Sequence, residues 1–544
     1  MEIAEIRDLD GPNLFMLRPA IKLEIDTGGT PMAAEAFAAH VAIGDPLEEP
    51  TMVPVTVERL QSLLAEVVNV LHDRVGSPRP QIETRVMEAP NHVTVAFSWT
   101  NRPFAKRLAQ VAYDIVTGSI ADLPAAIDEL ARLSSAHLTP AQQPDMLADA
   151  DRRVPVIGVT GTNGKTTTTR LISSILMESG KRVGWTSSSG VVVQGETVLE
   201  GDFTGPAGAA RVFEEPDLDV AVLETARGGI LLRGLGYESN DVSVVTNISA
   251  DHLGLQGVYT VDGLAEVKQV VAAVTKTDGF AVLNAGDSLV LAMRDAIRAR
   301  PFLIAREASN AAVLEHRQAG GWALWVESGL VQFAHDGVEE VLTDLNDIPI
   351  AFGGKAPHML ENALCAAAAT LAIGLEVDQV RTGLARFRNQ SDQNRGRLNV
   401  FDVEGVRVII DFAHNVAGLK HLLALGRGLT SSDRRLVAAV GSAGDRPDDS
   451  LMELGRLASE EADTVIIKDT VKYLRGRSTG DIPRLILKGI DDTRHREIQV
   501  VPNELAAFEL ALTLVSLGDT VVIMCIEDVD YILDRLNDIG TPMS

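Results

Sequence analysis

The chain has 544 residues, more than one ordinary hydrophobic core needs, and its 46% hydrophobic and 23% charged residues are the balance of a folded globular protein. Its 49 basic and 75 acidic residues give a formal net charge of −26, which works against a nucleic-acid partner. This acidity is typical of a solvated surface, although it would also suit a cationic substrate.

Neither export nor membrane insertion is indicated by the sequence. The opening, MEIAEIRDLDG, has no basic region followed by an apolar core, and the longest apolar run, ALCAAAATLAIGL, is too short to cross a bilayer. We therefore expect a cytoplasmic protein with no membrane partner, in which this run forms a buried helix. Cys365 and Cys525 lack the spacing of a zinc or redox site, so we expect two buried free thiols.

The first part of the chain, residues 1–150, mixes strand patterns with amphipathic helices. The runs IKLEI and HVTVAFSW are typical of strands, and an apolar face repeats at helical spacing from about Val57 to Val75, before Gly76. These patterns predict an N-terminal α+β domain. The polar, proline-containing segment 136–153 precedes an abrupt buried strand and is predicted to be a linker.

From Val154 the pattern changes to apolar strands alternating with helices. The strand candidates are VPVIGVT, DVAVLETA and DVSVVTNIS, and helical patterns run from Lys165 to Ser179 and around Val261 to Val274. Such alternation is typical of a parallel sheet with helices on both faces. It predicts a central α/β domain over residues 151–393.

A second break falls at NQSDQNRGR, residues 389–397. Beyond it, the strand candidates VRVIID, LVAAVGSA, TVIIKD, EIQVV and TVVIMC alternate with helical patterns. This predicts a smaller Rossmann-like domain over residues 394–544. The predicted fold class is therefore α/β, with an α+β domain at the N-terminus.

The strand VPVIGVT runs into the loop TGTNGK and then into a helix. Backbone N–H groups and the positive end of the helix converge there, which favours a bound phosphate. Lys165 can reach the β- and γ-phosphates of a nucleotide, and the Thr166 hydroxyl can bind Mg²⁺. The spacing departs from GxxxxGK[ST], since Val159 fills the first glycine position, and a glycine- and threonine-rich turn is the alternative. The predicted ligands of ATP and Mg²⁺ in this loop are Gly161, Thr162, Asn163, Gly164, Lys165, Thr166 and Thr167.

Several distant motifs accompany this loop. They are ETARGG, TNISADHLG, GKAPHMLENALCAAAA, DFAHN and GSAGDR. Together with TGTNGKTT, and in this order, they resemble the Mur ligase superfamily. The resemblance implies a central P-loop domain, a C-terminal Rossmann-like domain and an ATP-dependent, ADP-forming ligase that joins a carboxylate to an amine through an acyl phosphate.

Within that family, the cyanophycin synthetase branch is the most similar. The supporting runs are GDFTGPAGA, ETARGGILLRGLGYE, DHLGLQGV and YLRGRSTGD, while LDGPNLFMLRPAIKLEID and HVTVAFSWTNRPFAKRLAQVA resemble the N-terminal domain of that branch. Those enzymes carry an ATP-grasp module between the two parts, and here the N-terminal unit runs straight into the Mur-like core. The resemblance therefore implies one half of that reaction, with a separate ATP-grasp ligase as a candidate partner and homo-oligomerisation by analogy.

The resemblance assigns metal and catalytic roles to four residues. Glu224 would share a Mg²⁺ with Thr166 and His252 would bind a second one, while Lys165 would contact the phosphates. Lys268 matches a lysine that many Mur ligases carry as a carbamate near the second metal. The alternatives are an ion pair of Glu224 with Arg227, a structural role for His252 and a solvated charge at Lys268.

The remaining assignments concern ATP and the two substrates. Asn362 resembles the asparagine that holds adenine, whereas Met359 fills a position that is often asparagine. Arg397 and Asp411 would reach ATP when the C-terminal domain closes, which predicts interdomain motion. Residues predicted to contact the acid or the amino acid are Thr204, Arg227, His414, Arg475 and Arg477. A plain turn around Thr204 and surface charge for the two last arginines are the alternatives.

The predicted reaction joins an amino acid to the carboxylate of a peptide, an amino-acid polymer or a small acid. Ligation to a small acid, as in folylpolyglutamate synthesis, is disfavoured by the different N-terminal unit. The alternative from another class is an ATP-binding regulatory protein, or a partner of a separate ATP-grasp ligase, that no longer performs ligation.

Overall fold

A computed structural model describes residues 1–28, 32–35, 52–490 and 497–543, with side chains except at 32–35 and 52–55. The N-terminal elements are β1 (Glu2–Leu9), β2 (Ala20–Asp26), β3 (Met32–Glu35), β4 (Met52–Val55), α1 (Val57–Arg74), β5 (Ile82–Val86), β6 (His92–Ser98), α2 (Arg102–Val116) and α3 (Leu123–Ser134). An antiparallel sheet in the order β1-β2-β6-β5 packs against the helices, and β3 pairs with β4. Both predicted strands and the predicted helix of this region are confirmed.

The central elements follow a polar segment. They are β7 (Val156–Thr160), α4 (Lys165–Glu178), β8 (Val183–Ser187), β9 (Gly190–Val193), β10 (Glu196–Glu200), α5 (Pro206–Phe213), β11 (Val220–Glu224), α6 (Arg227–Leu232), β12 (Asn240–Val245), α7 (Val261–Ala273), β13 (Thr275–Asn284), α8 (Ser288–Ala292), β14 (Arg300–Ala305), α9 (Ala311–Gln318), β15 (Trp322–Glu327), β16 (Leu330–His335), β17 (Val338–Asp344), α10 (Pro357–Ala372) and α11 (Val377–Arg386).

These strands form one sheet in the order β10-β9-β8-β11-β7-β12-β13-β14-β15-β16-β17. The strands from β8 to β15 in this order run parallel, as the alternation of strands and helices predicts. The antiparallel strands at both ends of the sheet are additions that the sequence pattern does not reveal. They form hairpins, and every residue of β10 is exposed, so this strand lacks the apolar run of a buried strand.

The register of three central strands places their ends side by side. Glu224 of β11 lies opposite Val159 of β7, and Val245 of β12 lies opposite Thr160. Because the strands are parallel, their carboxyl ends meet at one edge of the sheet, where ligands of open α/β sheets bind. The phosphate loop, ETARGG and TNISADHLG therefore leave the sheet at the same edge.

The C-terminal elements form a second, mostly parallel sheet. They are β18 (Asn399–Val403), β19 (Val406–Asp411), α12 (Val416–Leu429), β20 (Leu436–Val440), α13 (Asp448–Glu461), β21 (Thr464–Lys468), α14 (Asp481–Lys488), β22 (Glu497–Val501), α15 (Glu504–Leu514), β23 (Thr520–Met524), α16 (Val529–Ile539) and β24 (Thr541–Met543). The strand order is β22-β21-β20-β23-β19-β18-β24, and all five predicted strands are present. The additional strands β18 and β24 pair antiparallel to each other, and β18 also pairs antiparallel to β19.

The N-terminal region is joined to the central one by a buried carboxylate. Asp10 is 1% exposed and forms ion pairs with Arg102 of α2 and with Arg233, just after α6. The Asp10 amide also donates to the Arg233 carbonyl over 2.7 Å. The predicted linker is also attached to the central sheet, since Arg152 forms a 2.7 Å ion pair with Asp241 of β12. The LDGPN motif therefore belongs to an interface between the two regions.

Two further sequence predictions concern the apolar run and the thiols. The run lies in α10, where the residues from Ala363 to Leu371 are buried, and in the turn that follows it. Cys365 and Cys525 are both free and buried, as predicted. In the part of the chain that the structure describes, no helix combines the length and the hydropathy needed to cross a bilayer.

A buried ion pair organises the C-terminal sheet. Lys468 Nζ lies 2.7 Å from Glu504 Oε2, and neither side chain is exposed to solvent. Burial alone would raise the pKa of Glu504. The charge and hydrogen bond of Lys468, with backbone N–H donors of the following turn, instead lower this pKa to about 2. Those donors are Ile526, Glu527 and Asp528.

Replacing Glu504 with glutamine leaves the Lys468 charge buried and unpaired, so we expect the free energy of unfolding to fall by about 3 kcal/mol at pH 7. Because folding depresses the pKa of Glu504 from 4.5 to about 2, its stabilisation is complete above about pH 4.5 and is lost as the pH falls towards 2. The difference between wild type and E504Q in urea unfolding should shrink over that range. E509Q, on an exposed position of the same helix, is the matched control and should change stability by less than about 0.5 kcal/mol. Equal effects of both substitutions at pH 7 would contradict this prediction.

Candidate active site

The phosphate loop connects β7 to α4 and is held by the neighbouring TNISADHLG segment. The side chain of Asn247 makes two hydrogen bonds to the backbone of Asn163. Its Oδ1 accepts from the Asn163 amide over 3.0 Å, and its Nδ2 donates to the Asn163 carbonyl over 2.9 Å. Thr246 Oγ1 donates to the same carbonyl over 2.7 Å. The Thr162 amide donates to the Asn247 carbonyl over 2.8 Å. The loop is therefore preorganised by residues of its own sheet edge.

Two glycines of the loop are required by its geometry. Gly161 has φ +146° and Gly164 has φ +87°, which side-chain-bearing residues rarely adopt. A Cβ atom at Gly161 would also collide with Thr246 Oγ1, and one at Gly164 with Asn362 Oδ1. The loop backbone thus packs directly against the side chains that surround it.

Thr166 and Glu224 form a buried oxygen pair below the loop. Thr166 Oγ1 donates to Glu224 Oε1 over 3.1 Å, whereas Glu224 Oε2 has no hydrogen-bond partner although the side chain is only 3% exposed. Burial raises the pKa of Glu224, although the positive charges of Lys165 and Arg397 act to lower it. A hydroxyl beside an unpartnered carboxylate oxygen fits a Mg²⁺ ion, which prefers oxygen ligands. The alternative ion pair is not seen, because Arg227 donates to the Leu255 carbonyl instead.

Two lysines face the same loop. Lys165 Nζ donates to the Thr162 carbonyl over 2.9 Å, and Lys268 Nζ donates to the Gly161 carbonyl over 2.6 Å. Lys268 is 3% exposed, so the solvated-charge alternative is wrong for this side chain. Burial, and then the charge of Lys165, lower the pKa of the Lys268 amine well below its ordinary value. A carbamate on this amine stays a prediction.

His252 stands among charged groups from both halves of the cleft. Its Nδ1 lies 2.8 Å from Arg446 Nη1 and 3.4 Å from Asp445 Oδ2, both in the GSAGDR segment. The Arg446 guanidinium also lies 3.2 Å from Asp251 Oδ1. His252 adopts φ +51°, an uncommon backbone conformation for a residue with a side chain.

The carboxylates of this group are strongly acidic. Burial alone would raise the pKa of Asp251, but the neighbouring His414 and the charge of Arg446 hold it well below its ordinary value. For Asp445, burial is likewise outweighed by the adjacent His252 and the Arg446 charge, which lower the pKa to about 2. Both groups are therefore anions at neutral pH.

The far end of the cleft contains the predicted adenine residue. Asn362 of α10 is 4% exposed and touches the loop at Gly164, while Met359 lies one turn before it. Beside them, His358 of α10 and His421 of α12 stack with ring centroids 4.4 Å apart. Burial, and then the neighbouring charge of Lys420, lower the pKa of His421 to about 4.

Three of the predicted residues that the C-terminal region supplies to the cleft lie near the phosphate loop or the TNISADHLG segment. Arg397 lies over the Phe412 ring and its guanidinium is 3.5 Å from Thr166 Oγ1. Asp411 accepts from the Leu398 amide over 2.9 Å, and burial raises its pKa. His414 Nε2 lies 3.9 Å from Asp251 Oδ2. The structure thus brings residues of both sheets together around the loop.

The predicted substrate residues occupy two sides of the cleft. Thr204 is 7% exposed and donates to Asp202 Oδ1 over 2.6 Å, close to the end of β11. Arg475 forms a 3.0 Å ion pair with Asp445. Arg477 does not line the cleft, because its guanidinium donates to the Gly444 and Arg446 carbonyls and to Asp448.

The cleft has a volume of about 520 Å³ and opens between the two sheets. Besides Arg477, the predicted residue outside its lining is Gly161, whose Cα in the loop faces Thr246. The predicted residues that line it are Thr162, Asn163, Gly164, Lys165, Thr166, Thr167, Thr204, Glu224, Arg227, His252, Lys268, Asn362, Arg397, Asp411, His414 and Arg475.

Several lining residues are not singled out by sequence reasoning. Asp251, Asp445 and Arg446 sit inside motifs whose neighbouring residues are assigned, so their charge could have been noted. His358 and His421 give no such signal, because their contact depends on how α10 and α12 meet across the cleft.

Comparison with known proteins matches two regions of the chain. Residues 159–370 match the Mur ligase middle domain, and residues 396–525 match the glutamate ligase domain of Mur ligases. The chain belongs to the Mur ligase family. Over 372 residues, this Mur ligase family member is 40% identical to the cyanophycin synthetase of Synechocystis sp., a match that covers 68% of this chain and 42% of that protein. The matched part thus spans less than half the length of that relative.

Solved structures confirm the predicted fold class of this Mur ligase family member. E. coli FolC, in complex with DHPP and ADP, has a TM-score of 0.53 at 22% identity, covering 71% of this chain and 89% of FolC. A bifunctional folylpolyglutamate synthase/dihydrofolate synthase with Mn, AMPPNP and L-glutamate bound has a TM-score of 0.52 at 19% identity, covering 70% of this chain and 89% of that one.

Truncating Asn247 to alanine removes both of its hydrogen bonds to Asn163, so the backbone of the phosphate loop is held less firmly. We expect the affinity for Mg·ATP to fall about tenfold, the equivalent of one to two net hydrogen bonds, with little change in thermal stability. Calorimetric titration of nucleotide into the full chain measures this. N346A, which removes an exposed asparagine that contacts Asp344, is the control. An unchanged affinity for Mg·ATP in N247A would show that the hydrogen bonds from Asn247 are not needed to hold the loop.

Proposed function

We propose that this chain is an ATP-dependent carboxylate–amine ligase that forms an amide bond and releases ADP and phosphate. The observation that carries the proposal is the buried Thr166–Glu224 pair beneath a preorganised phosphate loop, faced across one cleft by Arg397 and His414 of the second sheet. Its membership of the Mur ligase family supports the same reaction.

The first step transfers the γ-phosphoryl group of ATP to a carboxylate oxygen, giving an acyl phosphate and ADP. Because two anions approach each other, catalysis depends on positioning and on offsetting charge. Lys165 and Arg397 supply cationic groups near the transferred phosphoryl group. Thr166 and Glu224 would hold Mg²⁺, which would offset negative charge on the phosphates, and His252 would hold a second cation.

In the second step, the amine nitrogen attacks the acyl carbon, the carbon–oxygen bond to phosphate breaks, and the amine loses a proton. The amine must be neutral and aligned for attack, which requires that its own carboxylate be fixed. Arg475 is exposed at the mouth of the cleft and suits that contact, since arginine binds carboxylates with paired N–H groups. Thr204 and Arg227 lie on the opposite side, where the acid would bind.

The substrates we propose are an amino acid and a carboxylate-bearing peptide, amino-acid polymer or small acid. Identity of 40% to a cyanophycin synthetase favours a polymer or peptide acid. On this proposal the chain performs one half of a cyanophycin-like reaction in the cytoplasm, as a homo-oligomer, with a separate ATP-grasp ligase as its partner for the other half. Lys268 acts near the second cation, as its own amine or as a carbamate.

The decisive test incubates the purified full chain with Mg·ATP and with pools of amino acids and acidic peptides. Ligation predicts ADP release that needs both an acid and an amine, and a product whose mass identifies both. With the acid alone, hydroxylamine should trap the acyl phosphate as a hydroxamate. ADP release without either substrate, or no ADP with any combination, would instead support an ATP-binding protein that does not ligate.

Glu224→Gln should lower the rate of acid-dependent ADP release by roughly 100-fold or more, because a charge that holds the cation is lost. E196Q, on the exposed strand β10, is the matched control and should leave the rate unchanged. Initial rates at saturating ATP, with thermal unfolding of each variant, check this prediction. Equal rates in E224Q and wild type would refute the assignment of Glu224 to the metal.

A further inference from the structure

Arg170 joins the helix of the phosphate loop, α4, to the segment that carries Arg397. Its Nη1 donates to Asn394 Oδ1 over 3.4 Å and to the Arg395 carbonyl over 3.2 Å. Its Nη2 donates to Ser189 Oγ over 2.8 Å. We propose that Arg170 is a positioning residue, which holds Arg397 at the site of phosphoryl transfer through Asn394. The inference rests on the proposed function, in which Arg397 offsets charge near the transferred phosphoryl group.

Asn394 is attached to the backbone of Arg397 on both sides. The Arg397 amide donates to the Asn394 carbonyl over 3.1 Å, and Asn394 Nδ2 donates to the Arg397 carbonyl over 3.4 Å. From this backbone, the Arg397 guanidinium lies over the Phe412 ring and 3.5 Å from Thr166 Oγ1. A displacement of Asn394 would therefore move the Arg397 side chain relative to the phosphate loop.

Three buried asparagines make the segment around Arg397 a single hydrogen-bonded unit. Asn389, Asn394 and Asn399 are each at most 1% exposed. Asn394 Nδ2 donates to Asn389 Oδ1 over 2.8 Å. Asn399 Nδ2 donates to the Asn389 carbonyl over 2.9 Å and to the Asn394 carbonyl over 3.2 Å. Because buried amides that bond to one another are costly to separate, we expect the whole segment to follow a shift of Asn394.

On its other side, Arg170 is attached to a segment that reaches the predicted Mg²⁺ ligands. Ser189 follows Ser188 in the chain, and Ser188 Oγ lies 3.3 Å from Thr166 Oγ1. Arg170 therefore ties both neighbours of the Thr166 hydroxyl, one in each sheet region, to the same helix. The closed circuit of contacts passes through Thr166, Ser188, Ser189, Arg170, Asn394 and Arg397.

The described hydrogen bonds of Arg170 all go to uncharged groups. Their acceptors are an amide oxygen, a backbone carbonyl and a hydroxyl. Burial, and then the charge of Arg397, lower the pKa of Arg170 to about 10, so the guanidinium is still a cation at neutral pH. A partly buried cation beside a like charge is a costly arrangement for stability alone, and such arrangements are concentrated at functional sites.

Nucleotide affinities test this inference without any need for turnover. Calorimetric titration of the full chain with Mg·AMPPNP, which has a γ-phosphoryl group, and with Mg·ADP, which lacks one, isolates contacts with that group. R397Q should bind Mg·AMPPNP about tenfold more weakly than wild type and Mg·ADP within about twofold of it, because a charged contact with the γ-phosphoryl group is lost. R170Q should show the same selective loss, of about fivefold, since Arg397 is present but displaced.

The double variant R170Q/R397Q shows whether Arg170 acts through Arg397. If it does, the double variant should bind Mg·AMPPNP no more weakly than R397Q, whereas independent effects would multiply to about 50-fold. R386Q is the matched control, because Arg386 is 64% exposed and forms an ion pair with Glu178 at the other end of α4. Its affinity for both nucleotides should stay within about twofold of wild type.

Multiplied losses in the double variant would overturn the inference, and so would an equal loss of both nucleotides in R170Q or no selective loss in R397Q. If R170Q does not fold, R170K replaces it in the cycle. Lysine keeps the charge but lacks the fork that reaches Ser189 and Asn394 together, so the selective loss should persist, and wild-type affinity would overturn the inference. Ligation with multiplied losses would count against this inference alone, whereas the expected affinities in a chain that does not ligate would count against the proposed function alone.

Discussion

The parallel pairing of β7 with β11 on one side and β12 on the other is the constraint on which the rest of the cleft depends. It brings a phosphate loop, a buried carboxylate and a histidine to one edge although they are far apart in the chain. A slip of one residue would reverse the facing of every side chain in a strand. The glycines at 161 and 164 then let the loop backbone lie against Thr246 and Asn362 with no intervening side chain.

Buried charge explains why the cleft is built from two sheets. Glu224, Lys268 and Asp251 are all largely removed from water, and each such charge is costly unless a partner of opposite sign or a good hydrogen bond is near. The first sheet does not provide enough partners by itself. Arg397 and Arg446 come from the second sheet, so electrostatics as well as apolar packing favours the apposition of the two regions.

Individual strands, helices and the phosphate loop could be predicted from the sequence, because each is indicated by residues that are close together in the chain. The alternation of strands and helices, the loop at Gly161 to Thr167 and the buried run in α10 each follow from residues within one short window. The contact of Arg446 with His252 could not, since the two are 194 residues apart and meet only when the sheets are placed. The same holds for the stacked His358 and His421. The strand β10 could not be predicted, because all of its residues are exposed and carry no burial pattern.

The carboxylate of Asp10 has a consequence for how the molecule can move. It ties the end of β1 to the residue after α6, in the segment that continues from ETARGG, so separating these regions would take Arg233 away from a buried carboxylate and leave it only Arg102 of its own region. The wall of the cleft that faces the acid is thus held from behind, whereas no such ion pair joins the described residues of the N-terminal sheet to the wall that carries Arg397 and Arg446. One wall of the cleft is therefore fixed to the N-terminal region. Any opening wide enough to admit a long substrate has to come from movement of the wall that carries Arg397 and Arg446.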